Sequence, residues 1–261
     1  MTYKLIATDL DRTLLRSDGT VSEFTRDTVR KCMEAGVGFT FATGRMYCSA
    51  LPIARRLQLE LPLITYQGAL LKGLNGDVMH ALHLPGEIAG ELEEILRKSG
   101  MHYNIYADEN LYFSSFSDHV MAYARHIGVE PLAVPRRLGS IKVTQYGVFD
   151  EPEPIAELQQ RIAEQFGGSL HTVVSGGRFL EICHPMAQKS YGLAQLADRL
   201  GIARDEIIAF GDNHNDLDML QYAGLGVAVE NAVPAAKAAA SRLTASNDED
   251  GVARLIQELI L

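Results

Sequence analysis

Four clusters of oxygen and nitrogen donors stand out along the 261-residue chain: Asp9-Leu10-Asp11-Arg12-Thr13, Ala42-Thr43-Gly44-Arg45, an isolated Lys189, and Gly211-Asp212-Asn213-His214-Asn215-Asp216. Three of them directly follow short apolar runs, YKLIAT at 3–8, VGFTFAT at 37–43 and IIAF at 207–210. In an open parallel sheet ligands bind beyond the carboxyl ends of strands, so these runs would deliver their donors to one place. Thr43 offers a hydroxyl, Gly44 a close backbone approach and Arg45 a guanidinium fork, a set suited to an anionic oxygen group. Asn215 adds an amide, and Lys189 a counter-charge for phosphate or carboxylate.

Asp9, Asp11, Asp212 and Asp216 at neighbouring strand ends repel one another and resist ionising together unless a cation intervenes. An oxygen-only donor set suits magnesium, which accepts few carboxylates and keeps some waters. A phosphoryl group completes the arrangement, because magnesium, Lys189 and Thr43 can balance its charge while one aspartate attacks phosphorus.

The elements that must position these groups are readable from periodicity. After the loop 9–22, Val21, Phe24, Thr28, Cys32 and Ala35 recur at helical spacing, with Gly36 where a C-cap belongs. VGFTFAT alternates as a strand, a second helical stretch follows, and PLITY at 62–66 reads as a third strand. The C-terminal third returns to this style, with a helix over 189–200, strand 207–210, a helix near 215–223, strand 225–229, an alanine-rich short helix in 232–240 and a final helix over 249–260. Repeated strand–helix–strand units predict an α/β, doubly wound parallel sheet.

The middle is different. Helical patterns at 86–99, 117–127 and 152–166 are interleaved with short strands at 102–106, 111–114, 140–148, 170–174 and 179–183, the last two joined by a hairpin-type turn at 175–178. The expectation is a discontinuous core, 1–82 and 186–261, with an α+β domain inserted at 83–185. The insert carries 8 basic and 14 acidic residues and the remainder 16 and 19, so neither offers a broad cationic surface.

The sequence resembles the haloacid dehalogenase superfamily of phosphatases, in its Cof-type branch with a large cap between the second and third motifs. DLDRT, ATGR, Lys189 and GDNHND stand in the family's order, and AVENA (228–232) and NDEDGV (247–252) resemble its C-terminal signatures. The resemblance spans the whole chain. It implies Asp9 as nucleophile, forming an aspartyl-phosphate and ligating magnesium. It implies Asp11 as the acid that protonates the leaving oxygen and then activates water, its backbone carbonyl also binding the metal. Thr43, Gly44 and Lys189 would hold phosphoryl oxygens, joined by Asn215. Asp212 would ligate magnesium, supported by Asp216 directly or through water. Family members usually have Gly at 12, Asn at 67 and Gly at 230, where this chain has Arg12, Gln67 and Glu230. An ordinary residue at 12 suggests that the loop needs no positive φ there.

The function expected is a magnesium-dependent phosphatase acting on a small phosphorylated metabolite, such as a sugar or cofactor phosphate, with the inserted domain selecting the substrate. A phosphomutase or phosphotransferase with the same nucleophile stays open, as does a phosphate-responsive regulator without turnover. Asp9 and Asp11 could instead cap turns, and Arg45 could pair with an acid rather than face the substrate. His214 reads as structural, His80 and His83 as linker residues, and the insert's tyrosines and histidines as packing groups. No glycine pattern for a P-loop or dinucleotide site is present. A balance of 24 basic to 33 acidic residues opposes nucleic-acid binding. Cys32, Cys48 and Cys183 form no CxxC pair, and two aspartates within the first eleven residues leave no room for a signal peptide's apolar stretch. A cytoplasmic protein without membrane or obligate protein partner is expected.

Overall fold

The computed structural model describes residues 3–136, 138, 139, 141–175 and 177–261. The chain falls into two compact units, Met1–Ala81 with Gln188–Leu261, and Leu82–Ala187. The first unit opens with β1 (Leu5–Thr8), buried on both sides as an inner parallel strand must be. A five-residue π-type turn at Leu10–Leu14 follows, closed by the Leu15 N–H on the Leu10 carbonyl at 2.8 Å. Helix α1 (Glu23–Glu34) starts where the Ser22 hydroxyl accepts the Thr25 N–H. Next come β2 (Gly38–Phe41), α2 (Tyr47–Arg56), β3 (Leu63–Thr65), β4 (Leu70–Lys72) and β5 (Val78–Ala81).

The third strand does more than the sequence suggests. Ile64 bridges Ala42 in parallel, extending beyond β2, but β3 then pairs antiparallel with β4, and β4 with β5. Asn75-Gly76 between β4 and β5 is a strong hairpin signal, with Gly76 at φ +95° and Gly73 N–H on the Asp77 carbonyl. The strands are too short for periodicity to reveal. His80 therefore lies in a strand, its ring 5.3 Å from that of Tyr191, and is not a linker residue.

The second unit contains α3 (Gly86–Ser99), β6 (His102–Ala107), β7 (Asn110–Phe113), α4 (Asp118–Ile127), β8 (Pro131–Ala133), β9 (Val143–Phe149), α5 (Pro152–Phe166), β10 (His171–Ser175) and β11 (Phe179–Cys183). Its six strands run in the order β10-β11-β9-β6-β7-β8, antiparallel except for β7 with β8. Alternation puts Tyr103, Ile105, Tyr146, Val148, Leu180 and Ile182 into one core with Leu92, Leu96, Leu158 and Ile162 of α3 and α5. The strand expected at 140–148 begins at Val143. The turn expected at 175–178 includes Gly176, which lies outside the described residues.

The chain returns to the first unit with α6 (Lys189–Leu200), β12 (Ile207–Gly211), α7 (Leu217–Tyr222), β13 (Leu225–Val229), α8 (Pro234–Ala239), β14 (Arg242–Thr244) and α9 (Gly251–Leu259). The parallel sheet has the order β14-β13-β12-β1-β2. Helices α6, α7 and α8 pack as one group and α1 with α9 as another. Leu5, Ala7, Ile207 and Ala209 point into the core shared with Leu193, Leu196 and Met219. The architecture is α/β with a parallel sheet and an inserted α+β unit. Residues 214–216 form a 3₁₀ turn before α7, and α9 begins two residues later than its pattern suggests. No helix among the described residues is long and apolar enough to cross a membrane.

Candidate active site

The centre of the site is a buried ammonium between carboxylates. Lys189 Nζ donates to Asp9 Oδ1 and to Asp216 Oδ1, both at 2.6 Å, and its side chain is wholly inaccessible. Asp9 follows β1 and stays in register with the sheet through its N–H on the Phe210 carbonyl. Asp216 folds back over the end of β12, its Oδ2 accepting the N–H groups of Asp212 and Asn213 at 2.9 and 3.0 Å. Asp212 receives the Thr13 hydroxyl at 3.2 Å. Oxygens of Asp9, Asp212 and Asp216 all lie within 4.8 Å of one another.

Two glycines permit this closeness. A Cβ on Gly211 would lie 2.5 Å from Cβ of Asp216, so that carboxylate could not fold over the strand. Gly68 has φ +91°, and a Cβ there would lie 2.0 Å from the Gln188 carbonyl oxygen. The turn at Tyr66–Gly68 can therefore press against the start of α6, which seats Lys189. The lysine's place at a helix N-terminus is unfavourable for a cation in itself, and the two carboxylates offset this.

The remaining expected residues separate into two groups. Thr43 is buried at the end of β2, its N–H on the Ile64 carbonyl and its hydroxyl accepting the Arg45 N–H at 3.2 Å. Gly44 joins the two, half-buried. Asn215 is also half-buried, held by Gln67 Oε1 at 3.1 Å. The Asp11 carboxylate, by contrast, does not join the other three. It is half-exposed and takes a bidentate contact from Arg45, Nε to Oδ2 at 2.7 Å and Nη2 to Oδ1 at 2.6 Å. The four-carboxylate cluster expected from sequence is thus a cluster of three. Any metal contact by Asp11 is left to its backbone, and Arg45 spends its fork on Asp11.

A second correction concerns Arg12, which has φ +61° and ψ +9° despite being an ordinary L residue. The π-type turn needs a left-handed residue here to swing the chain from Asp11 into Thr13. Gln67 adopts φ +54° in the same way.

Burial dominates the electrostatics. It raises Asp9 well above the usual carboxylate range, with Lys189 pulling the other way and Asp216 and Asp212 adding to the rise. It pushes Asp212 up to about 6, reinforced by Asp216. Burial works against the Lys189 charge, but Asp216 and Asp9 outweigh it and raise the ammonium's pKa. With all three carboxyls ionised, one ammonium balances one of them and leaves two negative charges in a buried, oxygen-only set. A divalent hard cation matches both the charge and the donors, so the residues fit magnesium. Both Asp216 oxygens already accept hydrogen bonds, which makes Asp9 and Asp212 the better placed direct ligands.

Several residues escaped the motif reading. Thr13 orients Asp212. Asp218 Oδ2 caps α6 through the Ser190 N–H at 2.7 Å. Asn231 Nδ2 donates to the Arg12 carbonyl at 2.8 Å while its Oδ1 accepts the Asn247 N–H at 2.9 Å, and Asn247 Nδ2 reaches the Leu15 carbonyl. The signal for the asparagines lay in AVENA and NDEDGV, but sequence does not say what they bind.

This fold and site define a family. Residues 6–256 match the model of the haloacid dehalogenase-like hydrolases, and the chain belongs to that family and is an enzyme of it. The chain is similar to the 5-amino-6-(5-phospho-D-ribitylamino)uracil phosphatase YitU of Bacillus subtilis, at 32% identity over 97% of this chain and 96% of the relative. A second Bacillus subtilis phosphatase of the same name, YwtE, is 28% identical over 98% of each chain. Among solved structures, a haloacid dehalogenase-like hydrolase from Bacteroides thetaiotaomicron superposes with a TM-score of 0.89 at 28% identity, covering 98% of this chain and 99% of that one.

Proposed function

We propose that the protein is a magnesium-dependent phosphatase that hydrolyses a small phosphorylated metabolite through an aspartyl-phosphate on Asp9. The observation that carries this reading is the buried Asp9–Lys189–Asp216 network with Asp212 beside it. Asp9 Oδ attacks phosphorus, the bond from phosphorus to the leaving oxygen breaks, and Asp11 supplies that oxygen's proton. Asp11 then takes a proton from water, the water oxygen attacks the phosphorus, and the Asp9–phosphorus bond breaks to release inorganic phosphate. Thr43 and the Gly44 backbone hold phosphoryl oxygens, Lys189 and Asp216 fix Asp9, and Asn215 borders the group. Asp9, Asp212 and the Asp11 backbone would hold magnesium, with Asp216 behind them; when bound, it supplies positive charge to the phosphoryl oxygens. Arg45 orients Asp11, a role that replaces the substrate contact expected from sequence.

Leu82–Ala187 is the substrate-selecting cap in this reading, and the phosphoribityl compound for which the two Bacillus subtilis relatives are named supports a phosphorylated polyol as the ligand class. Phosphate release across a metabolite panel, with magnesium and with chelator, tests the proposal. Turnover only with magnesium is expected; full activity in chelator contradicts it. Single-equivalent phosphate uptake without release would favour a regulator.

A further inference from the structure

Helix α6 has no cap of its own. Lys189 is its first residue, and Gln188, in the capping position, is exposed and makes no side-chain hydrogen bond to the first turn. The N–H groups that open a helix need partners, and here one comes from elsewhere in the chain. Asp218 Oδ2 accepts the Ser190 N–H at 2.7 Å, across 28 residues of sequence. Asp218 lies in the first turn of α7, half-buried, shortly after Asp216. The stretch 216–218 therefore holds Lys189 from both ends. Asp216 Oδ1 accepts from the ammonium at 2.6 Å, and Asp218 takes the backbone N–H that immediately follows the lysine. A second hold on this turn is steric, since a Cβ on Gly192 would meet Ile64 Cγ2 at 2.5 Å. A carboxylate at this helix end also counters the partial positive charge that the lysine meets there.

We infer that Asp218 is a positioning residue, which sets the first turn of α6 so that Lys189 Nζ stands between Asp9 and Asp216. The inference rests on the phosphatase reading, in which Lys189 fixes Asp9 for attack, and deepens it. Lys189 Nζ meets both carboxylates at 2.6 Å from a wholly inaccessible position. A small shift of the helix start lengthens both contacts or turns the Asp9 carboxylate with them, and a misaligned nucleophile loses rate steeply. Thr43 and Gly44 hold the phosphoryl oxygens in that reading, so the loss belongs to the attack step and not to substrate affinity.

The test compares wild type with Asp218→Ala, Asp218→Asn and Ser22→Ala in full-length protein with magnesium. Asparagine keeps an acceptor oxygen and loses the charge. Ser22→Ala removes the cap of α1, where the Ser22 hydroxyl accepts the Thr25 N–H at 2.9 Å, and controls for lost stability alone. Two quantities are read at a temperature where melts show every variant folded. One is nitrophenolate release from p-nitrophenyl phosphate in a single turnover. The other is the ¹⁵N signal of the Lys189 ammonium, whose buried, hydrogen-bonded protons exchange slowly with water, assigned by its absence from Lys189→Arg. Asp218→Ala should slow the single turnover about tenfold or more, with the half-saturating ester concentration within about twofold of wild type. It should also broaden or shift the ammonium signal. Asp218→Asn should return the rate to within about threefold of wild type, and Ser22→Ala should match wild type in both readouts. A wild-type rate in Asp218→Ala overturns the inference, and so does an equal loss in Asp218→Asn or in Ser22→Ala. The ammonium signal needs no substrate, and its persistence unchanged in Asp218→Ala overturns the inference whatever the rate. A protein that cleaves no ester yet loses this signal in Asp218→Ala would sink the phosphatase reading and leave the positioning role standing.

Discussion

Asp9 and Asp11 are two residues apart and live in opposite surroundings. Asp9 is buried against Lys189, while the Asp11 carboxylate is half-exposed and gripped by Arg45. A pair of acids separated by environment is the usual basis for dividing nucleophile from acid–base duties. Replacing Asp11 with Asn should therefore cost about 10²–10⁴-fold on alkyl phosphates, whose leaving oxygen needs a proton. Aryl phosphates, with better leaving groups, should lose less in the first half-reaction, and phosphoenzyme should accumulate. Equal losses on both ester types in a single-turnover comparison would remove Asp11 from proton transfer. Asp212 gives a pH prediction. Its carboxyl titrates near 3.8 when unfolded and at about 6 when folded, so the folded state binds the proton more tightly between those values. The contribution of Asp212 to the stability of the metal-free protein should fall as pH rises from 3.8 to about 6, Asp9 acting in the same direction. The lowered carboxyls of Asp18, Glu206, Asp248 and Asp250 act in the opposite one, so the difference between wild type and Asp212→Asn isolates the Asp212 contribution. Magnesium should cancel that fall, and thermal melts in chelator and in magnesium across this window check it.

At the scale of elements, the site depends on how tightly turns meet strands and helices. Gly68→Ala would force a Cβ against the Gln188 carbonyl and keep φ positive. It should cost more than about 2 kcal/mol and lower activity by unseating Lys189. Denaturant melts and kinetics on the same preparation would measure both, and an unchanged melt would show that the turn can move away. What the sequence disclosed divides along the same line. Asp9, Thr43, Lys189 and Asp212 were legible because each directly follows a strand or starts a helix, and periodicity locates such ends. The β4–β5 hairpin was only half legible, since Asn75-Gly76 marks its turn but strands of three and four residues carry no measurable period. The left-handed turn at Arg12 was hidden, because φ is legible only where glycine marks it. Gln67, Asn231 and Asn247 act through contacts across long stretches of chain, and residue type alone does not name the partner.

For the molecule as a whole, charge bears on the ligand. The sequence 83–185 has six more acidic than basic residues, and its adjacent pair Arg97-Lys98 is already matched by Glu93 and Glu94 on α3. The other adjacent pair, Arg136-Arg137, includes a residue outside those described. In the proposed reading, where this unit selects the substrate, its sign would favour monophosphates of small polar molecules over bisphosphates and nucleoside triphosphates. Catalytic efficiencies for the mono- and bisphosphate of one sugar should differ in favour of the monophosphate, and the reverse order would show that local charge overrides the unit's net sign. Magnesium should also raise the melting temperature, because in the proposed reading it would bind a folded-state cluster that the unfolded chain lacks.

The central claim is that Asp9 carries the phosphoryl group. Acid quenching during turnover of a ³²P-labelled phosphoester, followed by peptide mapping, tests it most directly. The label should appear on the peptide containing Asp9, turn over at a rate no slower than product release, and be absent from Asp9→Asn. Steady turnover with no trapped label, or label on any other residue, would contradict the account.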